Sequence, residues 1–165
     1  FLYSVTMIEL RRYPLALQLL MQTDGTVTEL IKLLAQEDIQ VIKLSETINK
    51  IRVLNRHIFL QGKHTGQNWL HAESKIYLDH LPDNFVKDLL EKSVPIGTLW
   101  ANYRIETFKQ PIKQFAETCT ENKQPGFECG TKLLGRTYHV FNKQQIIMEI
   151  TEKFPVKHYL QVLPS

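Results

Sequence analysis

The feature that most limits the fold is a change of hydrophobic period near residue 39. Before it, apolar residues recur at helical spacing; after it, most of them alternate. Leu15 to Met21 reads as a short helix starting just after Pro14, a residue tolerated at a helix start. A turn at Thr23-Asp24-Gly25 follows. Thr26-Val27-Thr28-Glu29 then opens a second helix, with Thr26 and Glu29 at capping-box spacing and Val27, Leu30, Ile31 and Leu34 along one face. From Ile39 the pattern has period two. Ile39 to Leu44 and Ile51 to Gln61 read as strands, and Asn68 to Leu78 is the hairpin partner of the second, across the turn Gly62-Lys63-His64-Thr65-Gly66. Pro82 to Lys92 is amphipathic and helical. Pro95-Ile96-Gly97 leads into a helical turn and then a strand near Tyr103 to Phe108, after which Glu117 to Lys132 is polar and irregular. A last hairpin pairs Leu133 to Phe141 with Ile146 to Phe154, turning at Asn142-Lys143-Gln144-Gln145. Helices first and hairpin-joined strands after them predict an α+β fold with an antiparallel sheet, not a doubly wound parallel one. Neither GxGxxG, a Walker loop nor a GxSxG elbow occurs in the sequence.

The 165 residues fit one domain, 1–165, and 43% hydrophobic against 22% charged residues is an ordinary globular balance. A net charge of +3 without a basic stripe or interleaved aromatics argues against a nucleic-acid partner. The longest apolar run, around Pro14 to Met21, falls well short of the roughly 20 residues of a helical membrane span. These features predict no nucleic-acid partner and no membrane. The chain begins at Phe1, so removal of a targeting segment stays open. Cys119 and Cys129 lack CxxC spacing and read as two reduced thiols, with a disulfide only in an oxidising compartment.

Strand alternation singles out two charges. In Ile51 to Leu60, Arg56 shares a face with Leu54, Ile58 and Leu60. In the last strand, Glu152 shares a face with Ile146, Met148, Ile150 and Phe154, whereas Glu149 lies in the polar row. A buried charge without a partner costs several kcal/mol, so such positions are paired or functional. Three readings stay open: a structural ion pair between Arg56 and Glu152, a place for both at strand ends in water, or a pocket in which Arg56 clamps a carboxylate and Glu152 donates or accepts a proton.

Four segments, in order, resemble the chorismate lyase (chorismate pyruvate-lyase) family, especially its shorter cyanobacterial and plastid-type branch. They are Asp24-Gly25-Thr26-Val27-Thr28 entering a helix; Arg56-His57-Ile58-Phe59-Leu60 with Asn68-Trp69-Leu70-His71-Ala72 beyond the turn; Pro95-Ile96-Gly97; and Leu134-Gly135-Arg136 leading to Ile150-Thr151-Glu152 and Pro155. The resemblance runs from about Leu19 to Pro155. It implies a single antiparallel sheet with helices packed on one side, and a ligand enclosed beneath flaps. The implied reaction converts chorismate to 4-hydroxybenzoate and pyruvate, with no metal and no organic cofactor, feeding quinone or phenolic biosynthesis; the implied partner is the small molecule chorismate, and the implied setting a monomer or homodimer in the cytoplasm or plastid stroma. Carried over by residue, the ring-carboxylate arginine falls on Arg56 and the essential glutamate on Glu152, with Glu149 as the rival because the final hairpin differs by one residue. Val27 stands where better-known bacterial enzymes have Met, and Ile96 matches an apolar pocket position. Arg136 matches a Gly-Arg pair and is expected to meet the second carboxylate or to order the lid. In the mechanism this implies, a protonated Glu152 hydrogen-bonds the leaving oxygen. Two departures from the family stand out: the smaller Val27, and a longer Glu117 to Lys132 stretch.

The alternative function is a non-catalytic effector-binding domain of the same fold, as in some transcription regulators. Those follow a winged helix, for which there is no room before Leu19 unless the chain is a fragment. His57, His64, His71, His80, His139 and His158 show no HxxxH or comparable ligand grouping and read as surface or packing residues. Trp69, Trp100 and Phe59 read as core aromatics before a ligand cage, and Tyr103 and Arg104 as ordinary strand positions before ligand contacts.

Overall fold

A computed structural model describes residues 8–120 and 126–162. The middle of the polar stretch, residues 121–125, lies outside them, as does Phe1. Two helices, α1 (Leu15–Gln22) and α2 (Val27–Ala35), precede three strands, β1 (Ile39–Ile48), β2 (Val53–Gly62) and β3 (Asn68–Tyr77). Helices α3 (Asp83–Glu91) and α4 (Ile96–Asn102) then lead to β4 (Phe108–Thr118), β5 (Lys132–Asn142) and β6 (Gln145–Pro155). The sheet is six-stranded, in the order β1-β2-β3-β6-β5-β4, and every neighbouring pair is antiparallel. It therefore consists of two three-stranded meanders joined where β3 meets β6. The α+β architecture with helices on one side is as expected.

Alternation explains which face the helices cover. The even-numbered residues of β2, β3, β5 and β6 point toward the helices and build two apolar clusters. Leu17, Leu20 and Ile31 of α1 and α2 pack on Ile58, Leu60, Leu134 and Phe154 at one end of the sheet. Phe85, Leu89 and Leu99 of α3 and α4 pack on Leu54, Ile76, Val140 and Met148 at the other. Burying these faces at roughly 25 cal/mol per Å² supplies the main driving force of folding.

Several expectations shift. The strand placed at Tyr103 to Phe108 is instead Phe108–Thr118, with Tyr103 capping the C-terminus of α4. Its alternation is masked because it is an exposed edge strand carrying Pro111, with a register shift between Pro111 and Lys113. Proline is tolerated there because an edge strand leaves one side without ladder bonds. Strand β1 runs on past Leu44 to Ile48, through a register shift between Lys43 and Ser45. Thr26 makes no side-chain cap bond to α2; an ideal Cβ on Gly97 would come within 2.8 Å of Thr26 Cγ2, so the helix start is packed against α4. In the last hairpin, Asn142 pairs with Gln145, and the two turn residues Lys143 and Gln144 take φ of 48° and 63°. Two successive positive φ values are what a two-residue type I′ turn demands. Cys119 is buried, Cys129 is exposed, and no disulfide joins the two. Among the described residues no helix is long and apolar enough to cross a membrane.

Candidate active site

Between the two apolar clusters the helices stand away from the sheet and leave a cavity of about 510 Å³. Its roof is the α1–α2 connection with the N-termini of α2 and α4, where Val27 and Ile96 contribute apolar walls. Its floor is the inward row of the sheet: Ile58, Ala72, Ser74, Tyr138, Ile150 and Glu152. The size suits a small ligand.

Glu152 is 5% exposed and faces Arg136 across the β5–β6 ladder. Arg136 Nε donates to Glu152 Oε2 at 2.6 Å, and the Tyr138 hydroxyl donates to Oε1 at 2.9 Å. Both carboxylate oxygens of Glu152 thus accept hydrogen bonds from neighbours on β5. Burial, and then the adjacent Glu152 carboxylate, raise the Tyr138 pKa well above the phenol range, so its hydroxyl stays a donor. Burial alone would lower the Arg136 pKa, but Glu152, Tyr138 and Asp24 together turn the net shift upward. Arg136 also donates through Nη1 to the carbonyls of Met21 (3.3 Å) and Thr23 (2.9 Å), tying the roof to the floor. Glu149 lies on the opposite face of the sheet, with Lys75 at 3.3 Å and His139 at 3.0 Å.

Arg56 is 1% exposed, yet none of its three guanidinium nitrogens has a hydrogen-bond partner. Its Nε lies 3.3 Å from Glu46 Oε1, at ion-pair distance without hydrogen-bond geometry. Burial lowers its pKa and Glu46 partly restores it. The Arg56–Glu152 ion pair is therefore not formed: Arg56 faces Glu46, and Glu152 is held by Arg136. The extra residue in β1 explains the partner, since Lys43 pairs with Ile58 but Glu46, three residues on, pairs with Arg56 on the same face. Arg56 is not in the cavity wall itself; it stands beside Ser74, its partner in β3, which is.

Of the expected site residues, Glu152, Val27 and Ile96 meet at the cavity, Arg136 anchors Glu152 from behind, and Arg56 stands next to the lining. Tyr138 and Lys109, both in the cavity lining, were not singled out. Tyr138 follows Arg136 in the inward row of β5, where alternation would have shown it. Lys109 lies on the unrecognised edge strand. Its ammonium reaches across to the carbonyls of Asp24 (2.9 Å) and Gly25 (3.1 Å), lies 5.4 Å from the centre of the Tyr138 ring, and forms no salt bridge among the described residues. Burial lowers its pKa, with Glu152 opposing. Trp100, expected in the core, lines the cavity with its indole N–H unpartnered. Arg104 does so from the positive-φ position after α4, not from a strand.

On this α+β sheet, a cavity with a guanidinium free of hydrogen bonds beside it, and an ammonium without a salt bridge among the described residues in its wall, is an arrangement suited to a small anion. A family model described as "Chorismate pyruvate-lyase Rv2949c-like" matches residues 21–161, and the chain belongs to that family. The chorismate pyruvate-lyase of Mycobacterium tuberculosis H37Rv is 27% identical, over 88% of this chain and 82% of its own. That of Mycobacterium leprae is 28% identical, over 88% and 77%. The cyanobacterial and plastid-type affinity has no counterpart in these two mycobacterial relatives. Among solved structures, PhnF from Mycobacterium smegmatis superposes with a TM-score of 0.63 at 10% identity, over 82% of this chain and 66% of PhnF. The effector domain of PhnF alone gives 0.60 at 12% identity, over 81% and 90%. These two likenesses concern the fold.

Proposed function

We propose that this chain converts chorismate to 4-hydroxybenzoate and pyruvate. The observation that carries the reading is the arrangement of one cavity: a buried carboxylate, Glu152, held in place by Arg136 and Tyr138, with cationic groups lacking full partners around it. Chorismate is a dianion of suitable size, and its ring becomes aromatic when the bond from C3 to the enolpyruvyl oxygen breaks and the C4 hydrogen leaves as a proton. That proton ends on the released enolpyruvate, which becomes pyruvate, so no water or redox partner is consumed. The protein has to hold the dianion in a reactive pose, keep water out, and accept hydrogen-bonding density near C4.

In this reading Arg56 takes the ring carboxylate, exchanging its loose contact with Glu46 for a two-pronged one. Lys109 takes the enolpyruvyl carboxylate beneath the α1–α2 connection. Glu152 accepts from the C4 hydroxyl or removes the C4 proton, and Tyr138 keeps that carboxylate oriented. Val27 and Ile96 press the ring toward the sheet. The direct test is incubation of the purified chain with chorismate and chromatographic detection of both products. Equimolar 4-hydroxybenzoate and pyruvate are expected. Saturable binding of an anionic effector without turnover would favour the effector-domain reading, which the shared fold with PhnF keeps in play.

A further inference from the structure

On the face of the sheet turned away from the cavity, β2 and β3 bring together His57, His71 and Glu73. One potential ligand atom from each lies within 4.8 Å of the other two. The placement follows from the ladder. His71 and Glu73 are two apart on β3 and so point the same way, and His57 is the direct cross-strand partner of Glu73. Two alternate residues on one strand and a third on its neighbour can supply three of the four corners of a tetrahedron.

A second observation points to a ligand. His71 is 2% exposed, and its Nδ1 is buried without a hydrogen-bond partner, 3.8 Å from Glu73 Oε1. A buried polar nitrogen left unmatched is costly, and an ion would match it. We infer that His57, His71 and Glu73 form a binding site for one divalent transition-metal ion of zinc-like character. Two imidazoles and a carboxylate are the donor set such ions prefer, leaving a fourth position to water. Metal–ligand bonds of about 2.0–2.2 Å require the three ligand atoms to close in by roughly an ångström. The half-buried His57 and Glu73 have room to make that movement while His71 stays fixed.

Charge is compatible with the assignment. Burial holds the His71 pKa down to about 4, leaving the imidazole in its neutral, ligating form at ordinary pH. The competing cation is Lys153, whose ammonium lies 3.1 Å from Glu73 and also 3.1 Å from Glu117. Two carboxylates around one ammonium leave a net negative charge, and Glu117 retains Lys153 when Glu73 turns to the ion. The site is separate from the cavity, but Ala72 and Ser74, which flank Glu73, line the cavity from the other face. An ion here would clamp the back of its floor.

The test uses the tag-free chain, stripped with a chelator and titrated with Zn²⁺ by calorimetry, with Co²⁺ absorption as a geometric probe. One ion per chain is expected, with Co²⁺ bands of tetrahedral intensity. His57→Ala and Glu73→Gln, both on partly exposed side chains, should each weaken Zn²⁺ about tenfold or more. Lys153→Met should tighten it severalfold. Absence of saturable binding up to millimolar Zn²⁺, or binding unchanged in both His57→Ala and Glu73→Gln, would overturn the assignment. Neither readout depends on chorismate turnover, so the two proposals stand or fall separately.

Discussion

The division of labour among the charged residues gives distinct expectations for substitution. Arg56→Ala should raise KM for chorismate about 10- to 100-fold with a smaller change in kcat, the loss expected of hydrogen bonds to a charged group. Glu152→Gln keeps the shape and removes the charge. Steady-state kinetics should show kcat falling about 10²- to 10⁴-fold, with KM less affected. Arg136→Ala is predicted to act mainly on stability, because it leaves Glu152 buried without its ion partner; urea unfolding should report a loss of about 3–5 kcal/mol. Lys109 supplies a pH dependence. Its pKa lies below the ordinary 10.5, chiefly through burial, with Arg136 pushing the same way and Glu152 and Asp24 opposing. The ammonium binds an anion, so substrate affinity should be full at neutral pH. KM should then rise with pH at a point below 10.5. A Lys109→Arg variant, charged throughout, should lose that alkaline limb; an unchanged KM profile in the variant would remove Lys109 from the site.

Among the elements, the contact between the starts of α2 and α4 sets the height of the roof. Gly97 lies within α4, where alanine would normally gain about 1 kcal/mol of helix stability. Here the added Cβ would press on the branched Thr26 side chain, so Gly97→Ala should destabilise and should raise KM by displacing Ile96. Chemical denaturation and kinetics of the same variant check both. The helices and the two hairpins were legible because each carries a clean period and a turn. Strand β4 was not, since an edge strand bearing Pro111 has little apolar alternation to read. With it went Lys109, and with the bulge in β1 went Glu46.

At the level of the whole molecule, the sheet is two meanders sharing one seam, β3 against β6, and the apolar clusters sit on either side of the cavity. The inner strands β2, β3, β6 and β5 carry nearly all the buried sheet residues, whereas β1 and β4 are edges. Amide exchange should therefore be slowest in the inner four and distinctly faster in β4. Equal protection in β4 would contradict this order of the sheet.

Alternation in the sequence was enough to determine that Arg56 and Glu152 face the helices, because a side chain's face depends only on its place in its own strand. The same local rule gave the α+β class and the hairpins. Which charges meet was beyond it. Pairing Glu152 with Arg136 and Arg56 with Glu46 depends on strand order and on one inserted residue in β1, and bringing His57 to His71 and Glu73 depends on the β2–β3 register. These are relations between segments far apart in the chain, decided when the apolar faces of helices and sheet packed together.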